Sequence, residues 1–357
     1  MTNSTLSGKV QTVLGPIDGD ALGIALPHEH LLIDLSSAYI APSGASARGR
    51  AYEKVGLDNL SWLRYHPYQN LDNIQLLDEG EAIDEAILFK RAGGSSIVDC
   101  TINGIGRDPE SLARISRGTG LNVIMGSGYY TAPSHPPELS ARTEDQIVEE
   151  IIGDLTAGVG DSGIKAGFIG EIGCSWPLEE NERKVLRAAA VAQRHTGACL
   201  SIHPGRSREA PFEIIDIVEE LGAELRRVIM CHIDVRLRER DDRHRLAETG
   251  CYLEYDVFGW EGHFPSYWTA DEFMDIPNDT QRIYEILDLI GEGHLEQILV
   301  SQDICRKTAR TCYGGWGYAH ILDYVVPMMR QRGMTQEQID TILIENPRRV
   351  FCTFAPS

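Results

Sequence analysis

The sequence is poor in positive charge and has no long apolar run. It contains 33 Lys and Arg residues against 53 Asp and Glu residues, so its formal net charge is −20. Nucleic acids and anionic membrane surfaces are polyanions, which repel a strongly acidic protein. No stretch approaches the roughly 18 consecutive apolar residues of a membrane-spanning helix. We therefore expect a small-molecule substrate, and neither nucleic acid nor a membrane as a partner.

Several short motifs are also absent. No C-x-x-C pair occurs, which disfavours a cysteine-type zinc site, and no G-x-G-x-x-G or Walker A sequence indicates a nucleotide phosphate site. The first residues lack the apolar segment of a secretory signal. The eight cysteines lie mostly in apolar runs of a long chain. We therefore expect reduced thiols and a cytoplasmic protein.

Short apolar, β-branched runs recur along the chain, with amphipathic stretches between them. The eight runs are 23–35, 95–102, 122–130, 166–175, 199–205, 227–234, 251–259 and 297–304. Eight strand-then-helix units are what a (β/α)8 barrel requires, whereas a doubly wound sheet usually has fewer units and a glycine-rich phosphate loop. The sequence thus predicts the α/β class, as one TIM-barrel domain over residues 1–357.

Two segments fall outside this repeat. Residues 9–22 predict a small β-hairpin ahead of the first barrel strand, with Asp18-Gly19-Asp20 as its turn. Residues 36–78 are polar and aromatic without a clear period. They predict a long loop after the first strand, over the carboxyl end of the barrel, where such loops build substrate sites.

The strongest local signal is the sequence Pro27-His28-Glu29-His30 in the first run. Side chains alternate along a strand, so His28 and His30 face one side and Glu29 faces the other. Two imidazoles side by side can bind one metal ion. An H-x-H sequence by itself also fits ordinary polar residues at a strand end, so its weight depends on where other ligands fall.

Further candidate ligands end later runs. His203 ends the fifth run, His232 ends the sixth, and Asp303 ends the eighth. Catalytic residues of barrel enzymes gather at the carboxyl ends of the strands. A lone histidine there is more often structural, but four histidines and one aspartate at one edge indicate a metal site.

The fourth run supplies another carboxylate. Glu171 lies in a segment that is otherwise apolar or glycine. Burying a carboxylate there is costly unless it is paired or coordinates a cation. Glu171 is therefore a candidate to bridge two metal ions, and a buried salt bridge to Lys165 is the alternative.

Together these residues resemble the phosphotriesterase family of the amidohydrolase superfamily, over residues 10–351. The stretches GFIGEIGCSWPL, YGGWGYAHIL and ILIENP resemble the phosphotriesterase-related branch more closely. The resemblance implies a metal-dependent hydrolase on a TIM barrel, with two divalent ions per chain, usually zinc. Manganese, cobalt or iron would fit the same ligands. Relatives are often homodimers, so a homodimer is a further expectation.

The resemblance also assigns a role to each candidate ligand. The more buried metal would be held by His28, His30 and Asp303, and the more exposed metal by His203 and His232. Many members of the family bridge the metals with a carboxylated lysine. This chain departs from them, because Glu171 supplies the carboxylate, as a glutamate does in the related branch.

The implied reaction is attack of a metal-bridging hydroxide on a small carboxylic amide, ester or lactone, with Asp303 as the catalytic proton acceptor. Two alternatives stay open. A phosphotriesterase would use the same ligands, although the members best known for that activity carry the lysine. A non-catalytic small-molecule-binding protein would keep the fold, although a retired site should lose at least one of the six ligands.

Position after a strand also suggests substrate-pocket residues. The candidates are Tyr129, Trp176, Trp260, His263, Arg306 and Trp316. Aromatic residues at a barrel mouth are as often packed under loops as in contact with a ligand. Arg306 begins a basic cluster with Lys307 and Arg310, which would suit a carboxylate or sulfonate or, equally, a salt bridge to surface acids.

Overall fold

A computed structural model describes residues 8–264 and 274–352. Fourteen strands lie within these ranges, numbered in chain order. They are β1 Lys9–Thr12, β2 Gly15–Asp18, β3 Ala25–Glu29, β4 Ile33–Asp34, β5 Gln75–Leu76, β6 Ser96–Asp99, β7 Asn122–Ser127, β8 Phe168–Gly173, β9 Leu200–His203, β10 Val228–Met230, β11 Tyr252–Tyr255, β12 Gly262–Phe264, β13 Met274–Ile276 and β14 Ile298–Val300.

Eight of these strands form one parallel sheet, in the order β3, β6, β7, β8, β9, β10, β11, β14. The first and last strands meet at a seam. There the backbone N–H of Asp303 donates to the carbonyl of His28 at 3.3 Å, and the backbone N–H of His28 donates to Ser301 Oγ at 3.2 Å. The sheet therefore closes into the predicted barrel, with all eight strands running in one direction.

Helices connect the successive barrel strands. The α-helices of the described residues are α1 Ala45–Arg48, α2 Leu60–Leu63, α3 Glu79–Arg91, α4 Pro109–Thr119, α5 Glu144–Thr156, α6 Glu180–Thr196, α7 Ala210–Glu220, α8 Ile233–Arg236, α9 Arg240–Glu248, α10 Asp279–Gly291, α11 Val326–Gln331, α12 Gln336–Asp340 and α13 Asn346–Phe351. π-helical turns at Ile321–Val325 and Thr341–Glu345 precede α11 and α13. Among the described residues, no helix has both the length and the apolar character needed to span a bilayer.

Helix α10 shows how the sequence sets these boundaries. The Asn278 side chain accepts from the Gln281 backbone, and the Gln281 side chain accepts from the Asn278 backbone, which forms a capping box at the first turn. Ile283, Ile286 and Leu289 recur at helical spacing and are fully buried. This face packs α10 into the apolar layer around the barrel.

The hairpin of β1 and β2 is present, but its turn was predicted in the wrong place. Residues 13 and 14 form the turn, and the hydroxyl of Thr12 closes it by donating to the carbonyl of Gly15 at 2.7 Å. Gly15 has the positive φ, 116°, that this turn requires. Asp18 ends β2, and Gly19 begins a 3₁₀ helix, Gly19–Leu22.

The hairpin closes the amino-terminal end of the barrel. A Cβ atom on Gly167 would lie 2.3 Å from the carbonyl oxygen of Gln11, so only glycine allows β1 to approach the start of β8. Below the mouth the interior is an apolar cluster to which the hairpin, the barrel strands and α13 contribute. It includes Val10, Leu22, Ala25, Val98, Ile124, Phe168, Ile229, Leu299, Val350 and Phe351.

The insertion at residues 36–78 carries α1, α2 and β5, which pairs with β4. It is tied to the loop that follows β14. Lys307 Nζ donates to Asp72 at 2.9 Å, and the Lys307 backbone donates to the carbonyl of Asn73 at 2.8 Å. The insertion therefore bridges the seam above the carboxyl end of the barrel.

Candidate metal centre

The carboxyl end of the barrel brings together all six side chains that the sequence singled out as ligands. They are His28 on β3, His30 directly after β3, Glu171 on β8, His203 at the end of β9, His232 after β10 and Asp303 after β14. All six are buried or nearly so.

One group of ligand atoms lies at the seam. His30 Nε2 is 3.2 Å from Asp303 Oδ1, and His28 Nε2 is 3.9 Å from the same oxygen. The second group lies across the mouth. His203 Nδ1 and His232 Nε2 are 2.8 Å apart.

Glu171 faces both groups. Its Oε1 is 2.7 Å from His203 Nδ1 and 2.9 Å from His232 Nε2, whereas its Oε2 is 3.5 Å from His28 Nε2. Burial alone would raise the pKa of this carboxyl, but the facing histidines hold it well below the ordinary value. No Lys165 contact satisfies the carboxylate, which was the alternative to a bridging role.

The Nδ1 atom of His30 is fixed by a hydrogen bond. His30 Nδ1 is 2.9 Å from Thr101 Oγ1, whose own proton goes to the carbonyl of Leu32 at 2.8 Å. Thr101 therefore accepts from His30, which leaves the lone pair of His30 on Nε2, towards Asp303.

Asp256 orients two further imidazoles. Its Oδ1 is 2.8 Å from His232 Nδ1, and its Oδ2 is 3.2 Å from His28 Nδ1, which also lies 3.0 Å from Glu254 Oε2. Burial raises the pKa of Glu254 to about 7, whereas His232 and His28 outweigh burial and lower the pKa of Asp256. The charged Asp256 thus holds both rings with Nε2 towards the centre.

Glu29 fixes the Asp303 segment from the side of the seam. Its Oε1 accepts from Ser301 Oγ at 2.7 Å and from the backbone of Gln302 at 2.8 Å, and its Oε2 accepts from the backbone of Ile304 at 2.9 Å. Both peptide N–H groups that flank Asp303 are therefore held by one carboxylate. Burial raises the pKa of Glu29, but the three hydrogen bonds that its two oxygens accept favour the charged form.

His232 and Asp303 share an unusual backbone conformation. Their φ angles are 57° and 48°, and no other non-glycine residue of the described chain has a positive φ. Such conformations cost about 1–3 kcal/mol and cluster at functional sites. The alternation of side chains along β10 also ends before His232, because the strand stops at Met230. Strict alternation would turn Cys231 away from His232 towards the helices, but its Sγ lies 3.1 Å from Ser201 Oγ inside the barrel.

The donor set fits divalent metal ions. His28 Nε2 is buried and has no hydrogen-bond partner among the described residues, although two carboxylate oxygens face it. With Nδ1 donating to the acids beneath, this nitrogen presents a lone pair to other lone pairs, an arrangement that a cation between them would satisfy. Imidazole nitrogens and carboxylate oxygens, the donors of this site, are typical zinc ligands. Burial lowers the pKa of His203 to about 4, so that ring is neutral, whereas Asp256 and Glu171 outweigh burial and raise the pKa of His232 to about 10. A cation that bound at His232 would displace its proton.

A cavity of about 440 Å³ opens above these ligands. Trp176 and Trp260 line it, as do Tyr68 and Tyr130, and the Tyr130 hydroxyl lies 3.3 Å from His203 Nδ1. Cys174 and Cys305 also line the cavity. All eight cysteines are free thiols.

The other pocket candidates are placed elsewhere. Tyr129 turns away from the cavity, and its hydroxyl donates to Glu150 at 2.9 Å. Arg306 and Trp316 line a neighbouring depression, where the Arg306 guanidinium stacks 3.6 Å from the ring centre of Trp260. The side chain of His263 lies outside the described residues.

The rest of the basic cluster is used in structural contacts. Lys307 pairs with Asp72, and the guanidinium of Arg310 donates to the carbonyl of Leu31 at 2.7 Å and approaches Glu81. Lys307 thus holds the loop after β14 against the insertion, and Arg310 holds it against residues that flank the insertion. Neither cation reaches the cavity.

Comparison with known proteins decides the family. The model of the phosphotriesterase family matches residues 8–351. The chain belongs to this family. It is accordingly a hydrolase, as the residues predicted, and members of the phosphotriesterase family generally depend on two metal ions.

Similar proteins cover nearly the whole chain. A phosphotriesterase-related protein of Nematostella vectensis is 45% identical, over 96% of this chain and 98% of that protein. An N-acetyltaurine hydrolase of Bos taurus is 42% identical, over 97% and 98%. The crystal structure of a resiniferatoxin-binding protein from Rhodobacter sphaeroides has a TM-score of 0.92 at 38% identity, over 96% and 95%. These likenesses confirm the predicted phosphotriesterase-related branch.

Several residues of this family site were not singled out from the sequence. Glu254 and Asp256 are acids in an otherwise apolar run, so the argument that selected Glu171 would have found them as well. Arg206 and Arg236 line the cavity a few residues after ligand histidines. A search for cations just beyond each strand end, rather than for the basic cluster at 306–310, would have identified them.

Proposed function

We propose that this phosphotriesterase-family chain hydrolyses a small carboxylic amide, with two zinc ions held by the six ligands. The observation that carries the proposal is the position of Glu171, whose two oxygens face two separate groups of ligand atoms. One carboxylate shared in this way is what a binuclear centre requires. When bound, such ions supply Lewis-acid polarisation of an acyl oxygen and activation of water at neutral pH.

The protein's own residues then orient the reaction. Asp303 Oδ1 lies beside His30 and borders the cavity, where it can accept the proton of an attacking water. Glu29 holds the two peptide groups beside Asp303, so the carboxylate keeps one orientation. The aromatic walls of Tyr68, Trp176 and Trp260 limit the water around the substrate.

An amide is the bond class that the relatives favour. N-acetyltaurine hydrolases resemble this chain at 40–43% identity over almost their full length. A lactone or carboxylic ester passes through the same kind of tetrahedral acyl chemistry and is the next candidate. We rank a phosphotriester below both. The family members best known for phosphotriester hydrolysis carry a lysine where this chain has Glu171.

A second candidate function is binding without catalysis. The structural neighbour described as a resiniferatoxin-binding protein favours it, at a TM-score of 0.92. The complete ligand set favours hydrolysis instead, because a site that only binds has no need of oriented metal ligands.

Metal analysis joined to a substrate panel tests the proposal. We expect close to two zinc ions per freshly purified chain, and less than one for Glu171→Gln, with Glu180→Gln on the exposed start of α6 as the matched control. N-acyl amino compounds should be hydrolysed faster than lactones and paraoxon-like esters. Fewer than one ion per wild-type chain would contradict the proposed metal centre. Faster hydrolysis of phosphotriesters than of amides would contradict the proposed bond class.

We further propose that the protein acts in the cytoplasm as a homodimer. The eight free cysteines support a reducing compartment. Sedimentation analysis tests the dimer, and a species of one chain mass at micromolar concentration would contradict it.

A further inference from the structure

Two arginines line the cavity opposite the seam. Arg206 follows β9 three residues after His203, and Arg236 ends α8 four residues after His232. Both therefore belong to the same loops that carry the second group of ligand atoms. A substrate whose acyl group lies at the ligands would have its remaining part within reach of them.

Arg236 is buried and oriented by the protein. It is 9% exposed, and its Nε donates to the carbonyl of Pro204 at 3.0 Å. This bond fixes the guanidinium to the turn that leads to Arg206. In the described part of the chain Arg236 forms no ion pair with a carboxylate.

Neighbouring arginines show that the lack of an ion pair at Arg236 is unusual. Arg208 pairs with Asp242 at 2.7 Å, and Arg238 pairs with Glu285 at 3.2 Å. In a chain with twenty more acids than bases, a carboxylate partner is easily available. A buried cation that faces a cavity instead indicates that an anion enters from solution.

The turn that carries Arg206 is held in place by close packing. A Cβ atom on Gly205 would lie 2.6 Å from the backbone of Ser175 and Trp176, so only glycine allows this approach. Burial and the nearby Arg236 lower the pKa of Arg206 to about 10, which still leaves it charged at neutral pH. Two guanidinium groups are therefore held on the same side of the cavity.

We infer that Arg206 and Arg236 form a subsite for a sulfonate or carboxylate group on the amine side of the substrate. The inference rests on the proposed amide hydrolysis and names its substrate class, N-acyl amino acids and N-acyl aminosulfonates. Guanidinium groups match the oxygens of both anions in fork geometry. The subsite differs from the basic cluster suggested by the sequence, because Arg306 stacks on Trp260 outside the cavity.

Kinetics of the metal-loaded enzyme on matched substrates test the subsite. The substrates are N-acetyltaurine, N-acetyl-β-alanine and neutral N-propylacetamide. Wild-type kcat/KM should favour the anionic amides by roughly 10- to 100-fold, the range expected of charge-assisted hydrogen bonds. Arg236→Gln should remove most of that preference, Arg236→Lys should keep part of it, and Arg238→Gln should change nothing.

A binding measurement separates this inference from the proposed function. Ethanesulfonate is titrated by calorimetry into the metal-loaded wild type, Arg206→Gln and Arg236→Gln. Weaker binding to both variants, with unchanged metal content, supports the subsite even if no amide is hydrolysed. Equal binding to all three proteins, or a wild type without preference for anionic amides, would overturn it.

Discussion

The two ends of the barrel are built from the same eight strands with opposite chemistry. At the amino-terminal end, β1 and α13 cover an apolar plug in which Phe168 and Phe351 meet edge to face at 5.8 Å. At the carboxyl end, carboxylates and imidazoles are buried at the same depth. Glu29, Glu171 and Asp256 are each at most 1% exposed.

This difference separates stability from function along one axis of the molecule. The apolar end gains free energy from burial, at about 25 cal/mol per Å² of apolar surface. The polar end buries charged groups in place of apolar surface, so it lacks this free-energy gain. Each buried charge also requires a partner. We therefore expect substitutions at the two ends to give opposite results in stability and activity measurements.

The largest expected effect lies at the polar end. Asp303→Ala removes a metal ligand and the proton acceptor, and His232→Ala removes a ligand of the other group. Turnover should fall by roughly 10³-fold or more, because metal activation contributes several kcal/mol to the barrier. Kinetics and elemental analysis check this, with unchanged circular dichroism as the control. Full turnover in either variant would refute the mechanism.

The next effect belongs to the apolar end. Phe168→Ala leaves a cavity beneath Phe351 and should lower the free energy of unfolding by about 3–5 kcal/mol. Its kcat/KM should stay near the wild-type value, because no ligand contacts the ring. Urea unfolding measures the loss, and Leu57→Ala, at an 89% exposed position, is the control. A stable Phe168→Ala protein with impaired turnover would show that the two ends are not separate.

Glu29→Gln sharpens the comparison with a smaller effect. Glutamine offers one acceptor oxygen, so its amide N–H groups would face one of the peptide N–H groups beside Asp303. Activity should fall by roughly 10- to 100-fold, as for other residues that orient metal ligands. The metal content and kcat of this variant are compared with those of Glu110→Gln, at an exposed position of α4. A lower free energy of unfolding with an unchanged kcat would instead show that Glu29 serves stability, as the residues of the apolar end do.

Much of this arrangement follows from local sequence. Alternation along a strand puts His28 and His30 on one face, and eight apolar runs predict the barrel. The strand boundaries were predicted too long, because loops continue the apolar pattern after the backbone leaves the sheet. The left-handed backbone at His232 shows the limit, since it depends on Asp256, which is distant in sequence and holds both the ring and the peptide N–H.

Contacts between loops were the least accessible to sequence reasoning. Lys307 and Arg310 look like a free basic cluster in the sequence, but each has a partner near the insertion, more than 200 positions away. The sequence places Arg206 just beyond a strand end, but its position in the cavity follows from the packing of Gly205 on the loop after β8. The role of a side chain that contacts another loop can be assigned only once the fold is known.

The seam sets an order of events during synthesis. Glu29 and Ile304 meet there although 275 positions separate them. At about 5–20 residues per second, a ribosome needs roughly 15–55 s to make the intervening chain. The His28–His30 pair thus emerges long before its carboxylate partner, and two imidazoles alone would follow the general affinity order that favours copper. The six proposed ligands are therefore complete only once the last strand has been made and has docked.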